Sequence, residues 1–249
     1  LWNMLTGTEW YPTSGEGKFG FVPLIVGSVL VTGIALVVSV PIGVASAIYI
    51  SEFASGRLKE IMKSVIEFMA AVPSVVYGLL GIAFVVPFVK DFFGIPTGLT
   101  ALTGGLVLGA MSIPTIISIS EDALNAVPME LRRGSAALGN TRWQTTYKVT
   151  VPSASSGVFA GVMLGLGRAI GETMAVLMLV GNSARVTLNP LEPVRTMTAT
   201  IAAEMGEVVQ GSLHYSVLFN VGLVLFAITF LINLSADVVL ERQRKRWRR

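Results

Sequence analysis

Long charge-free runs alternate along the chain with short polar connectors, and the runs are of helix length. Phe21–Ser51, Phe68–Val89, Phe92–Ser120, Val149–Gly167 and Tyr215–Ala236 contain no Asp, Glu, Lys or Arg. About 20 apolar residues cross a bilayer as a helix. The pattern therefore predicts five membrane-spanning helices at about 21–50, 61–90, 98–120, 153–182 and 214–240. The second begins amphipathically, with Glu60, Lys63 and Glu67. Pro41, Pro73, Pro87 and Pro114 fall inside predicted spans. They mark kinks, because neighbouring helices and hydroxyls can satisfy the backbone groups that proline frees. The fold class is all-α and polytopic, with a polar segment at 1–20 and a membrane domain at 21–249 that includes a polar loop at 121–152.

Composition agrees with this. The chain is 53% hydrophobic and 13% charged, with mean hydropathy +0.71, whereas soluble domains are about 25% charged. Lys and Arg set the orientation, since cytoplasmic loops retain them. With the tail ERQRKRWRR inside, thirteen of the 18 cations lie on the inner side and four on the outer, while Arg168 lies in the membrane. Segment 1–20 is then extracytoplasmic. An earlier span is expected before it, making six in the whole subunit, because residue 1 is Leu and no signal peptide precedes the polar stretch.

Several chemistries are not expected. The pI of 9.3 comes mostly from the tail, where anionic lipid headgroups are the natural neighbours, so no nucleic-acid partner is called for. One histidine and no cysteine leave no metal site of the usual kind. His214, Trp2, Trp10 and Trp247 are read as interfacial residues. Neither G-x-S-x-G nor G-x-x-x-x-G-K-[ST] occurs, so neither serine hydrolysis nor ATP hydrolysis is expected of this chain.

The loop EDALNAVPMELRRGSAALGNTRWQTTYKVTVPSASSG reads as a helix–turn–helix. Pro128 suits a first helical turn, MELRRGSAAL has helix-forming composition, Gly139 and Asn140 form a stop, and Asn140–Trp143 can start a second short helix. It is either a solvated positive connector or a docking surface with cations, small residues and Trp143 exposed.

The fourth span carries Arg168 and Glu172 at bilayer depth, where a charge costs from a few to more than ten kcal/mol and is kept only facing protein or water. Read as one continuous helix, Gly157, Gly161, Gly165, Arg168 and Glu172 form one stripe. Its glycines permit close helix approach. The two charges either neutralise each other or serve an anion. An arginine fork suits a tetrahedral oxyanion. A nearby carboxylate favours monohydrogen phosphate, which has a proton to donate, over sulfate, which has none. Ser74, Tyr77, Ser112, Thr115 and Ser118 are candidates for lining a polar path. Arg185, Glu192, Arg195, Glu204 and Glu207 are candidates for meeting an outside partner.

Gly139, nine residues, then Val149-Thr150-Val151-Pro152 resembles the cytoplasmic loop signature of ABC-importer permeases. Arg133-Gly134-Ser135 stands where that family has Glu-Ala-Ala. The resemblance implies that Glu130, Arg133, Gly134, Ser135, Gly139, Arg142, Trp143 and Pro152 belong to coupling helices docked on an ATPase. GRAIGETMAV, AAVPSVVYGLLG and VRTMTATIAAEMGE resemble the C-type membrane subunit of phosphate-specific importers, and the likeness covers essentially the whole chain. It implies a type I permease with a six-span core, a second permease subunit, an ATPase dimer carrying ATP and Mg, and an extracytoplasmic phosphate-binding protein. Arg168 and Glu172 then lie on the phosphate path. A sulfate or molybdate permease is the alternative within that class; a channel or scaffold without an ATPase is the alternative outside it.

Overall fold

A computed structural model describes residues 2–12 and 17–247. Arg248 and Arg249 of the basic tail lie outside the described residues. Among the described residues, five helices are long and apolar enough to cross a membrane: Val22–Glu52, Ser74–Phe93, Ala101–Asn125, Arg142–Gly171 and Leu213–Ala236. The element order is α1 (Trp2–Thr6), a hairpin of β1 (Trp10–Tyr11) and β2 (Lys18–Phe19), α2 (Val22–Glu52), α3 (Gly56–Ala71), α4 (Ser74–Leu80), α5 (Val86–Phe93), α6 (Ala101–Asn125), α7 (Met129–Ala137), α8 (Arg142–Thr145), α9 (Val151–Gly171), α10 (Met174–Leu179), α11 (Met197–Glu204) and α12 (Leu213–Trp247). The antiparallel hairpin, pairing Trp10 with Phe19 and Tyr11 with Lys18, is a small departure from an all-α chain.

The prolines sort themselves in three ways. Pro41 and Pro114 sit inside unbroken helices. Pro73 ends one: α3 stops at Ala71, and Pro73 in an extended conformation precedes α4. A proline lacks the N–H for the ladder and pushes its predecessor out of the helical region. The predicted second span at 61–90 is therefore two helices, an amphipathic one and a spanning one. Pro87 and Pro152 each follow a π-helical turn, at Gly81–Val85 and Thr146–Thr150. In both turns the residue before the proline donates back five positions, Val86 to Gly81 and Val151 to Thr146. The wider turn absorbs the missing bond and the bulky ring. Helix consequently runs unbroken from Arg142 to Gly171, in place of a short loop helix followed by a span at 153–182.

The chain divides into two compact units. One comprises Leu1–Val37, Val72–Met111 and Arg168–Leu231. Its core joins Val31, Ala35, Leu108, Ala169, Val176 and Val180, with a second cluster of Trp10, Phe21, Leu24, Met197, Leu218 and Val221. Trp10 is 2% exposed, a core residue and not an interfacial one; Trp2 is exposed. Gly78 and Gly81 allow α4 to lie against Met178 and Leu179, which an added Cβ would meet at 2.7 and 2.8 Å.

The other unit comprises Val38–Ala71, Ser112–Gly167 and Ile232–Arg249. Ala47, Ile50, Ile66, Ile117, Leu124 and Ala154 form its core. The glycine stripe of α9 faces α6 within it. A Cβ on Gly157 would stand 2.3 Å from Ala123 Cβ, on Gly161 2.8 Å from Ser120 Oγ, and on Gly165 2.6 Å from Ile116 Cγ1.

Candidate functional site

The helix that carries Arg168 ends three residues later, at Gly171. Glu172 and Thr173 are not helical, and α10 restarts at Met174. The expected single stripe through Glu172 is therefore corrected: the glycines pack α9 on α6, and Glu172 stands in a break. A helix break at bilayer depth needs partners for its freed backbone groups, and local side chains provide them. Glu172 Oε1 accepts the first-turn N–H of Ala175 (3.3 Å), Thr198 Oγ1 donates to the Glu172 carbonyl (2.9 Å), and Thr173 Oγ1 donates to the Gly171 carbonyl (3.2 Å). Glu172 thus caps α10 as well as supplying a charge.

Both charged residues are half-buried in the same unit. Tyr77, also half-buried, lies within electrostatic reach of the Arg168 guanidinium, and Ser74 is one turn earlier on α4. Thr115, Ser112 and Ser118 belong to the other unit. Ser112 is fully buried, and Ser118 Oγ bonds back to the Pro114 carbonyl (2.9 Å), a backbone role.

A cleft beside Glu172 is lined by Ser28, Thr32, Ala169, Val176, Thr196 and Thr198 among others. Its volume of about 10 Å³ holds roughly one water, so an oxyanion enters only if the lining separates. Sequence reasoning missed these hydroxyls, although threonines at 196, 198 and 200 are a visible signal. Three of them are already engaged: Ser28 Oγ accepts from Met197 N (2.9 Å), Thr196 caps α11 through Ala199 N (3.3 Å), and Thr198 holds the Glu172 carbonyl.

The helical hairpin after α6 forms as expected. Pro128 precedes α7, Gly139 turns the chain at φ 82°, and Thr141 with Gln144 makes a reciprocal cap on α8. Ser135 is buried inside the hairpin, Oγ to Thr145 Oγ1 at 2.9 Å, with Asn140 Nδ2 donating to it (3.2 Å). Small size at this position serves the turn itself. Glu130, Arg133, Gly134, Gly139, Arg142 and Trp143 are exposed; Pro152 is half-buried in the first turn of α9. Trp143 is 61% exposed, with its ring 5.9 Å from Phe53, over which Arg142 also lies at 5.5 Å.

A second cleft, in the unit that holds Arg168, centres on Glu204. Its carboxylate accepts Trp10 Nε1 (3.0 Å) and Arg195 Nη2 (2.9 Å) on Oε1, and meets His214 Nε2 (2.8 Å) on Oε2. His214, Arg195 and Glu204 therefore build the fold locally. Arg185, Glu192 and Glu207 are exposed.

The profile of the family described as "Binding-protein-dependent transport system inner membrane component" matches residues 39–249. The chain belongs to that family. The permease is 40% identical over 240 residues to a probable ABC transporter permease protein, YqgH, of Bacillus subtilis, covering 96% of this chain and 78% of that one. It is 36% identical over 259 residues to the phosphate transport system permease protein PstC of Mesorhizobium japonicum, with the same coverage of 96% and 78%. An inward-facing structure of the methionine ABC transporter MetNI superposes with TM-score 0.66 at 19% identity, over 90% of this chain and 94% of that one. The fold is that of a type I ABC importer permease, and the permease is a multi-pass membrane component of an importer, not its catalytic subunit.

Proposed function

We propose that the permease passes inorganic phosphate into the cell by alternating access, using Arg168 and Glu172 at the break between α9 and α10. That break is the observation that carries the reading. Discontinuous membrane helices commonly form the substrate sites of transporters, and an intramembrane arginine facing protein suits an oxyanion. Relatives named as phosphate transport permeases support the choice of cargo. Glu172, held by the Ala175 N–H, favours an anion that arrives with its own proton. Tyr77 and Ser74, of the unit that holds Arg168, line the same path; Thr115 belongs to the other unit.

The cation distribution supports a cytoplasmic C-terminus and hairpin. There the exposed face of α7 and α8, with Arg133, Arg142 and Trp143, meets an ATPase dimer whose hydrolysis drives the cycle. A second permease subunit completes the pathway, and a phosphate-binding protein delivers from the other side. The test is phosphate uptake by Arg168→Gln in the assembled transporter. Uptake is expected to fall by at least about tenfold, as losing a charge-assisted anion contact of ~1.5–3 kcal/mol implies. Full uptake overturns the role of Arg168. For Glu172→Gln, uptake with unchanged preference over sulfate removes Glu172 from selectivity.

A further inference from the structure

We infer that Arg132 is a positioning residue that fastens the hairpin to the ends of two membrane helices, so that displacement of α7 is carried into α2 and α6. This rests on the ATP-driven reading above. Arg132 Nη1 meets Glu52 Oε1 at 2.7 Å, and its Nη2 donates to the Leu124 carbonyl at 2.7 Å. Glu52 is the last residue of α2 and only 6% exposed. Leu124 is fully buried in the last turn of α6, and its carbonyl, which also accepts Val127 N–H at 3.2 Å, has a second lone pair for Arg132. One planar guanidinium therefore bonds two helix ends at once, and two short prongs from a rigid fork fix direction as well as distance.

The helix ends it grips are themselves laced together. Glu121 on α6 is 5% exposed at its side chain and takes Lys59 (3.2 Å) and Lys63 (3.0 Å) from α3. It also accepts from Asn125 Nδ2 (2.9 Å), and Ser51 Oγ on α2 donates to Asn125 Oδ1 (2.9 Å). A push on α7 through Arg132 thus reaches a braced set of helices, not one loose end. The adjacent Arg133 is exposed, so neighbouring arginines divide the work: Arg133 faces outward and Arg132 holds inward.

The test uses the assembled transporter in vesicles, with Arg132→Met combined with Glu52→Gln. This pair removes the tie without stranding a buried charge. Phosphate delivered per ATP hydrolysed is expected to fall by about threefold to thirtyfold, and Arg132→Lys to retain part of it. A mere packing defect lowers uptake and hydrolysis together; an unchanged ratio overturns the inference. A second readout does not depend on the cargo. The chain has no cysteine, so Tyr49→Cys with Leu138→Cys, both exposed, accepts a spin-label pair. Nucleotide binding is expected to leave the label spacing unchanged in the unaltered complex and to change it when Arg132→Met and Glu52→Gln are added. The same response in both overturns the inference. Lack of phosphate uptake by the unaltered complex, with the spacing behaving as expected, refutes the cargo and leaves Arg132 in its role.

Discussion

Replacing Gly157 by alanine adds a single methyl group where α9 meets α6. The new Cβ would stand 2.3 Å from Ala123 Cβ, whereas carbon atoms settle at about 3.5–4.0 Å. The two helices must therefore part by more than about 1 Å, and Ala123 has no rotamer with which to yield. Overpacking of this kind costs about 1–3 kcal/mol. Alanine also recovers about 0.5–1 kcal/mol of backbone entropy in a helix interior, so the single variant understates the clash. Gly167→Ala on the same helix corrects for this, because a Cβ there meets nothing within 4 Å. The backbone term cancels between the two variants. Gly157→Ala is expected to be less stable than Gly167→Ala by about 1–3 kcal/mol, or roughly 2–12 °C in midpoint on the scaling of domains this size. Thermal unfolding of the purified permease in detergent, followed by tryptophan fluorescence, measures it. Equal midpoints, or a higher one for Gly157→Ala, would refute the close approach of the two helices.

Other expectations concern the hairpin and the Glu204 cluster. Gly139→Ala forces a side chain onto φ 82° and is expected to cost about 1–2 kcal/mol, seen as faster amide exchange throughout α7 and α8. Thr141→Ala removes one half of the reciprocal cap at about 0.5–2 kcal/mol; its effect on exchange should be confined to α8, and protection lost evenly across the hairpin would contradict a local cap. Glu204→Ala strands Arg195, whose side chain is only 16% exposed, and deprives Trp10 Nε1 of its acceptor. A loss of about 2–4 kcal/mol is expected, with Trp10 emission shifting to longer wavelength; unchanged emission would show that Trp10 does not depend on Glu204.

The architecture was legible wherever one local rule has a large energy behind it. Charge-free runs announced five spans because an unpaired charge in lipid costs several kcal/mol, and all five are present. Pro128, Gly139 and Asn140 announced the hairpin because each acts through its own backbone or the next turn. Arg168 and Glu172 stood out for the same reason as the spans, as charges where none is tolerated idly.

What sequence periodicity could not supply were the places where a helix stops or widens. Four prolines in apolar runs look alike on paper, yet Pro73 breaks a helix while Pro41 sits within one. Pro87, by contrast, follows a π turn, as Pro152 does at the head of α9. Glu172 looked like one turn of a stripe until Thr198 and the Ala175 N–H, one of them distant in sequence, stabilised a break there. Trp10 looked interfacial until Glu204, 194 residues away, gave its N–H a half-buried acceptor. Arg132 and Arg133 are indistinguishable neighbours until Glu52 and Leu124 arrive. Local pattern settles what must leave water; contacts between distant residues settle which polar groups find partners in an apolar chain.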